Sequence, residues 1–211
     1  MPELIQDIDA AVVRANLDSV RERAGASVRI LVATKYVPDE AMETLAEAGV
    51  DLVGENRLPD LERKHERFAS RFEWHFIGAL QSRRVKGILP LVSLVHSVAS
   101  ESALGQVNSH APDGVRILVQ VNIAGEEGKA GIAPDELGAF LARSEVEVAG
   151  LMTMPPFTES PEASRPHFAR LAELASEHGL RELSMGTSQD WEVAISEGAT
   201  MVRLGSSVLR P

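Results

Sequence analysis

One phrase recurs along this chain and constrains its fold more than anything else. A short apolar run rich in β-branched residues gives way to glycine or polar residues, then to a stretch with helical spacing. Eight such runs follow one another between Val28 and Leu204. Strands are expected at Val28–Ala33, Asp51–Val53, Glu73–Ile77, Leu91–His96, Val115–Val121 and Val146–Met152, then in a short run ending at Leu183-Ser184, and at Met201–Leu204. Helices are expected between them, at Pro38–Ala48, Leu58–Ser70, after Gly78 through Val85, at Ser100–His110, from Pro134-Asp135, at Pro161–His178 and at Ser188–Glu197. Strands that alternate with helices pair in parallel through right-handed crossovers, and eight units close into a (β/α)8 TIM barrel of the α/β class.

The two ends of the chain support closure. Apolar residues Leu4, Ile5, Ile8, Val12, Ala15 and Val20 predict an extra helix over Glu3–Ala24 that stops at Gly25. The last strand has too little chain after it for a full covering helix, so the amino-terminal helix is expected to cover the barrel seam. A single barrel domain over residues 1–211 is the expectation.

Composition narrows the function. With 21 basic and 31 acidic side chains the formal charge is −10, which opposes docking on nucleic acid or an anionic membrane surface. The densest basic run, Arg83, Arg84 and Lys86, is short. There is no cysteine, so thiol nucleophiles, zinc–thiolate sites and disulfides are excluded. No apolar run approaches the ~20 residues of a membrane span, and Met1–Asp9 is acidic where a secretory leader is basic. A cytoplasmic address is expected.

A barrel carries its chemistry at the carboxyl ends of its strands. Lys35 follows the first strand, where a neutral amine at a barrel mouth condenses with an aldehyde or ketone to a Schiff base. The alternative is a strand-end lysine paired with a carboxylate. Tips seven and eight read Ser184-Met-Gly-Thr-Ser188 and Arg203-Leu-Gly-Ser-Ser207. Glycines Gly186 and Gly205 with the hydroxyls of Thr187, Ser188 and Ser206 suit a phosphate, helped by the start of the helix after Ser188. Alternatively Ser188 is a helix cap and Gly186 a turn residue. Lys35 and a phosphate cradle together specify a ligand with both a carbonyl and a phosphate: pyridoxal 5'-phosphate, or a sugar phosphate in a Schiff-base aldolase. Arg203, if it reaches a pyridine nitrogen, keeps that ring unprotonated; otherwise it is a phosphate cation or a rim ion pair. Asn56 either contacts the ligand or shapes the turn after Gly54, and His75 either lines the pocket floor or sits hydrogen-bonded in the core. Asn122–Gly131 reads as a lid or as a solvated loop.

These residues resemble a known family. Val32-Ala-Thr-Lys35, Gly54-Glu-Asn56, Trp74-His-Phe-Ile-Gly78 with Leu80-Gln-Ser82, Val121-Asn122 through Glu126 and Lys129 to Gly131, Gly150-Leu-Met-Thr-Met154, Leu183-Ser-Met-Gly186 with Ser188 and Asp190, and Val202-Arg-Leu-Gly205 occur in the order found in the pyridoxal 5'-phosphate homeostasis proteins. Their barrel is similar to the amino-terminal domain of alanine racemase, the fold-type III arrangement for this cofactor. The resemblance implies a cofactor held as a Schiff base on Lys35, with its phosphate at the Ser188 and Gly205 loops. It implies a monomer that stores, buffers or delivers the cofactor, or related vitamin B6 forms, to apo-enzymes without robust turnover. Ala79, Arg83, Arg84 and Thr187 depart from the family's frequent residues, as does the Ser207–Pro211 end.

Two other functions compete. Racemase-like chemistry needs a second acid/base on the opposite ring face, which related enzymes take from an additional domain. The chain's only tyrosine, Tyr36, is directed away from the ring if strand alternation persists past Lys35. A Schiff-base aldolase would keep Lys35 and the phosphate cradle but bind no pyridine.

Overall fold

The computed structural model describes residues 4–210; the expected helix start at Glu3 and the domain ends at Met1 and Pro211 lie outside them. Eight parallel strands form a closed barrel in sequential order, β1-β2-β3-β4-β5-β6-β7-β8, with β8 pairing back to β1. They are β1 (Arg29–Ala33), β2 (Leu52–Glu55), β3 (Glu73–Phe76), β4 (Leu94–Val98), β5 (Arg116–Gln120), β6 (Val148–Met152), β7 (Glu182–Thr187) and β8 (Met201–Leu204). The helices are α1 (Ala10–Ala24), α2 (Met42–Glu47), α3 (Leu58–Phe68), α4 (Val85–Ile88), α5 (Glu101–His110), α6 (Leu137–Leu141), α7 (Arg165–Glu177), α8 (Trp191–Ser196) and α9 (Ser206–Leu209).

Alternation along each strand divides the core into two parts. Trp74, Phe76, Val32, Val53, Val95, Ile117 and Leu151 point outward under the helices. Leu31, Leu52, Leu94, Leu118, Met152 and Met201 point inward and fill the barrel lumen. The first residues of the four odd-numbered strands, Arg29, Glu73, Arg116 and Glu182, close the amino-terminal end as two ion pairs, Arg29–Glu73 at 2.5 Å and Arg116–Glu182. Above them His75, His96 and Ser184 are fully or almost fully buried in the lumen, so working side chains are confined to the carboxyl end.

Several element boundaries differ from expectation. Helix α1 begins at Ala10 because Asp9 caps it, its carboxylate accepting from the amides of Ala11 and Val12, and because Asp7 sits at φ 55°. Strand β4 starts at Leu94 rather than Leu91, since Leu89–Leu91 with Pro90 forms a 3₁₀ turn. Strand β7 runs on to Thr187, past the expected end at Ser184. Its Gly186 sits at φ +88°, where an added Cβ would lie 2.6 Å from Ala194 Cβ. Only glycine fits that kink, and the β7–β8 register shifts across it. The last strand is followed by a covering turn after all: α9 packs on α1, and Asn16 Nδ2 donates to the carbonyls of Val208 at 3.1 Å and Arg210 at 2.8 Å. Helix α1 also packs against α2 and α8, which places it across the β8–β1 seam as expected.

Candidate functional site

At the carboxyl mouth of the barrel lies a cavity of about 210 Å³ lined by Ala33, Lys35, Asn56, Ile77, Thr187, Ser188, Arg203, Gly205 and Ser206, together with Tyr36 and Met154. It brings together all seven residues singled out from the sequence: Lys35, Asn56, Thr187, Ser188, Arg203, Gly205 and Ser206. Larger concavities occur elsewhere, including one of about 570 Å³ around α1 and the amino-terminal ends of β1 and β2, but that one lies at the opposite end of the barrel from the strand tips.

Lys35 is half-buried in the turn after β1, and its Nζ lies 4.7 Å from the centroid of the Tyr36 ring. No carboxylate among the described residues pairs with it. Tyr36 lines the same cavity, contrary to the expectation that it turns away. The reason is local: β1 ends at Ala33, residues 35 and 36 form a turn, and strand alternation stops before them. The ring face, not the hydroxyl, meets the lysine amine.

The position of Lys35 is set by a buried ion pair that the sequence conceals. Lys64 on α3 and Glu55 at the end of β2 are 2 % and 0 % exposed, and their Nζ and Oε1 atoms lie 2.5 Å apart. Lys64 Nζ also donates to the Thr34 carbonyl at 2.7 Å, and the Thr34 hydroxyl donates to Glu55 Oε1 at 2.8 Å. The second carboxylate oxygen, Oε2, accepts the amide of Asn56 at 3.1 Å. One carboxylate thus anchors both the residue before Lys35 and the backbone of Asn56. Glu55, which the sequence shows only as the residue between Gly54 and Asn56, is a structural carboxylate; Lys64 shows only as one charge in a charged helix, and no spacing signal marks it.

At the other side, the guanidinium of Arg203 is held by three bonds, from Nη1 to the carbonyl and hydroxyl of Ser184 at 2.7 and 2.6 Å and from Nη2 to the Thr153 carbonyl at 3.0 Å. No acceptor among the described residues takes its Nε–H. Burial pulls its pKa down to about 10, partly opposed by Asp190, so it remains a cation at neutral pH.

The phosphate-type donors differ in detail from expectation. Helix α8 begins at Trp191, not Ser188, and Asp190 takes both the amide and the hydroxyl of Thr187, at 2.8 and 3.2 Å. The six-residue α8 therefore lends no helix start to the cavity. Ser188 is not a cap; its oxygen accepts from the Gly205 amide at 3.2 Å and from the Ser207 hydroxyl at 3.0 Å, which ties tips seven and eight together. A Cβ built on Gly205 would meet nothing within 4 Å, so this backbone is open to the cavity. Asn56 Oδ1 is a buried oxygen with no donor.

His75 does not line the cavity. It lies in the core, with Nε2 2.8 Å from Glu73 Oε1 and Nδ1 2.9 Å from His96 Nε2. Burial lowers the pKa of both rings, more for His96, which also faces His75 and Arg203. Glu73, accepting from His75 and facing Arg29 and Ser93, is held at about 2. The sign follows by linkage: below about 6.5 the unfolded chain binds protons that the two buried rings refuse, so their contribution to stability is lost as pH falls. Glu73 acts in a separate window, losing its contribution between about 4.5 and 2. The urea midpoint is expected to be lower at pH 5 than at pH 7; equal midpoints would contradict neutral buried rings. The Asn122–Gly131 segment bonds mainly to itself, with the Asn122 side chain bridging to the backbone of Glu126 and Lys129 paired with Glu126, and it does not line the cavity.

Comparison with known proteins identifies the family of the chain. Residues 8–209 match the family model described as "Alanine racemase, N-terminal domain". A "Pyridoxal phosphate homeostasis protein" of Aquifex aeolicus is 39% identical over 202 residues, covering 88% of this chain and 89% of the relative. A protein of the same name from Pseudomonas aeruginosa is 35% identical, covering 94% of this chain and 92% of the relative. The structure of PipY from Synechococcus elongatus with PLP bound superposes with a TM-score of 0.81 at 27% identity, covering 94% of this chain and 100% of that one. By the extent of these matches the chain belongs to the pyridoxal phosphate homeostasis protein family, built on the barrel of the alanine racemase amino-terminal domain.

Proposed function

We propose that this chain binds pyridoxal 5'-phosphate and holds it for storage, buffering or delivery, as a single-domain monomer acting in vitamin B6 homeostasis in the cytoplasm. The observation that carries this reading is the convergence of an amine, a buried cation and a cluster of hydroxyls on one small cavity, with Asn56 in its wall. When bound, the group supplies an electrophilic aldehyde and an electron-withdrawing ring. Lys35 is the amine that would hold the cofactor through its aldehyde, as a Schiff base formed with loss of water. The Ser188 and Ser206 hydroxyls would donate to the phosphate, while Thr187, whose amide and hydroxyl are on Asp190, and the Gly205 amide, which is on Ser188, would shape the wall around it. Arg203 presents a fixed cation toward the ring nitrogen and disfavours its protonation, which weakens the ring as an electron sink. Asn56 lines the wall beside the ligand.

The same features support holding over turnover. Tyr36 lies against Lys35, on that residue's side of the site, and so supplies no acid/base opposite it. The route from this protein to apo-enzymes, and the sharing of the site with related B6 forms, belong to the same proposal. Titration with pyridoxal 5'-phosphate should produce a saturable visible band at one equivalent, while alanine racemisation by the loaded protein stays at the rate of free cofactor. A protein that stays colourless overturns the reading and favours the sugar-phosphate aldolase; turnover far above free cofactor favours the racemase.

A further inference from the structure

Branched apolar residues ordinarily fill the lumen of a (β/α)8 barrel, yet here a continuous polar chain crosses it. It starts at Glu73, partly exposed at the amino-terminal end. It passes through His75 on β3, His96 on β4 and Ser184 on β7, and ends at Arg203 on β8 in the mouth. The successive separations are 2.8 Å from Glu73 Oε1 to His75 Nε2, 2.9 Å from His75 Nδ1 to His96 Nε2, 2.8 Å from His96 Nδ1 to Ser184 Oγ and 2.6 Å from Ser184 Oγ to Arg203 Nη1.

The end at Glu73 settles every proton in the chain. An ionised carboxylate only accepts, so His75 donates from Nε2. A neutral imidazole has one N–H, so His75 Nδ1 is bare and accepts from His96 Nε2–H. His96 Nδ1 is then bare and accepts the Ser184 hydroxyl, whose oxygen accepts from Arg203. All four bonds point the same way, from the guanidinium to the carboxylate, and chains polarised in this manner strengthen each bond.

The charged groups facing this chain are Arg29 on β1, 2.5 Å from the second oxygen of Glu73, the Arg116–Glu182 pair from β5 and β7, Arg203 itself, and Asp190 beside Arg203. The Ser93 hydroxyl adds a bond to Glu73 at 3.0 Å. The hydrogen bond from His75, helped by Arg29 and Ser93, keeps Glu73 ionised, and Glu73 in turn keeps both rings in one tautomer.

We propose that Glu73, His75, His96 and Ser184 form a positioning relay through which a carboxylate at the closed end of the barrel fixes the orientation and hydrogen bonding of Arg203 at the open end. Its bearing on a bound pyridine rests on the function proposed above; the relay itself does not.

Nitrogen-15 NMR of the protein without added cofactor tests the relay directly. Both His75 and His96 should be Nε2–H tautomers at pH 7 and above. In Glu73→Gln, whose amide can donate to His75 Nε2 and so reverse the chain, the His96 Nδ1 and Arg203 guanidinium resonances should shift. The exposed-surface control Glu192→Gln should leave both in place. An Nδ1–H tautomer in the wild type, or Arg203 resonances unmoved in Glu73→Gln, overturns the relay. In protein loaded with pyridoxal 5'-phosphate, Glu73→Gln and Ser184→Ala should move the pH midpoint of the visible band in the same direction; unmoved midpoints overturn the coupling to the ring. A wild-type protein that develops no band defeats the cofactor reading, while the NMR result still decides the relay.

Discussion

Replacing Lys35 with alanine is expected to abolish the visible band of protein loaded with pyridoxal 5'-phosphate and to weaken its retention by about tenfold or more, roughly 1.4 kcal/mol for each factor of ten. The hydroxyls at tips seven and eight and the Arg203 cation remain in this variant, so phosphate-dependent binding survives without colour. Lys35→Arg separates charge from nucleophilicity: it keeps a cation beside Tyr36 but cannot form the covalent link, and it should be equally colourless. Neither change should alter the thermal midpoint much, because Lys35 is only half-buried and its recorded contact is the Tyr36 ring. A band that persists in Lys35→Ala contradicts the assignment of the linking amine.

Removing the cation from the buried pair beneath that residue should act on the fold. In Lys64→Met the Glu55 carboxylate, 0 % exposed, loses its partner, and breaking a buried pair in this way costs about 3–5 kcal/mol. For a chain of this size that corresponds to a melting temperature lower by roughly 6–20 °C. The double variant Lys64→Met with Glu55→Gln should recover part of the loss, since a neutral amide leaves no isolated charge and still accepts from the Thr34 hydroxyl, while its NH2 group forfeits the bond from the Asn56 amide. Cofactor retention should fall in Lys64→Met as well, because the pair fixes the Thr34 carbonyl and the Asn56 amide on either side of the site. Thermal denaturation checks the first effect; a single variant that melts with the wild type contradicts a structural role for the pair.

The barrel and the placement of its site were legible because they depend on periodicity. β-Branched runs such as Val115–Val121 mark strands, and residues immediately after them must sit at one end of the barrel. What periodicity does not carry is the identity of partners across the lumen. Alternation alone turns His75 inward from β3, but only the closed geometry brings it to His96 and brings Ser184 between His96 and Arg203. Lys64 was hidden for the related reason that a lysine in Leu58–Phe68 reads as solvated unless the depth of Glu55 is known. Local turns defeat two readings: Tyr36 enters the cavity because β1 stops at Ala33, and the helix expected from Ser188 starts at Trp191 because Asp190 captures Thr187, which also removes the alternative of Ser188 as its cap.

The covalent attachment at Lys35 is the claim on which the functional account stands. Borohydride reduction of the protein loaded with pyridoxal 5'-phosphate, followed by peptide mass mapping, should place a single pyridoxyl-phosphate adduct on Lys35. An adduct confined to another lysine, or no adduct at all, would contradict it.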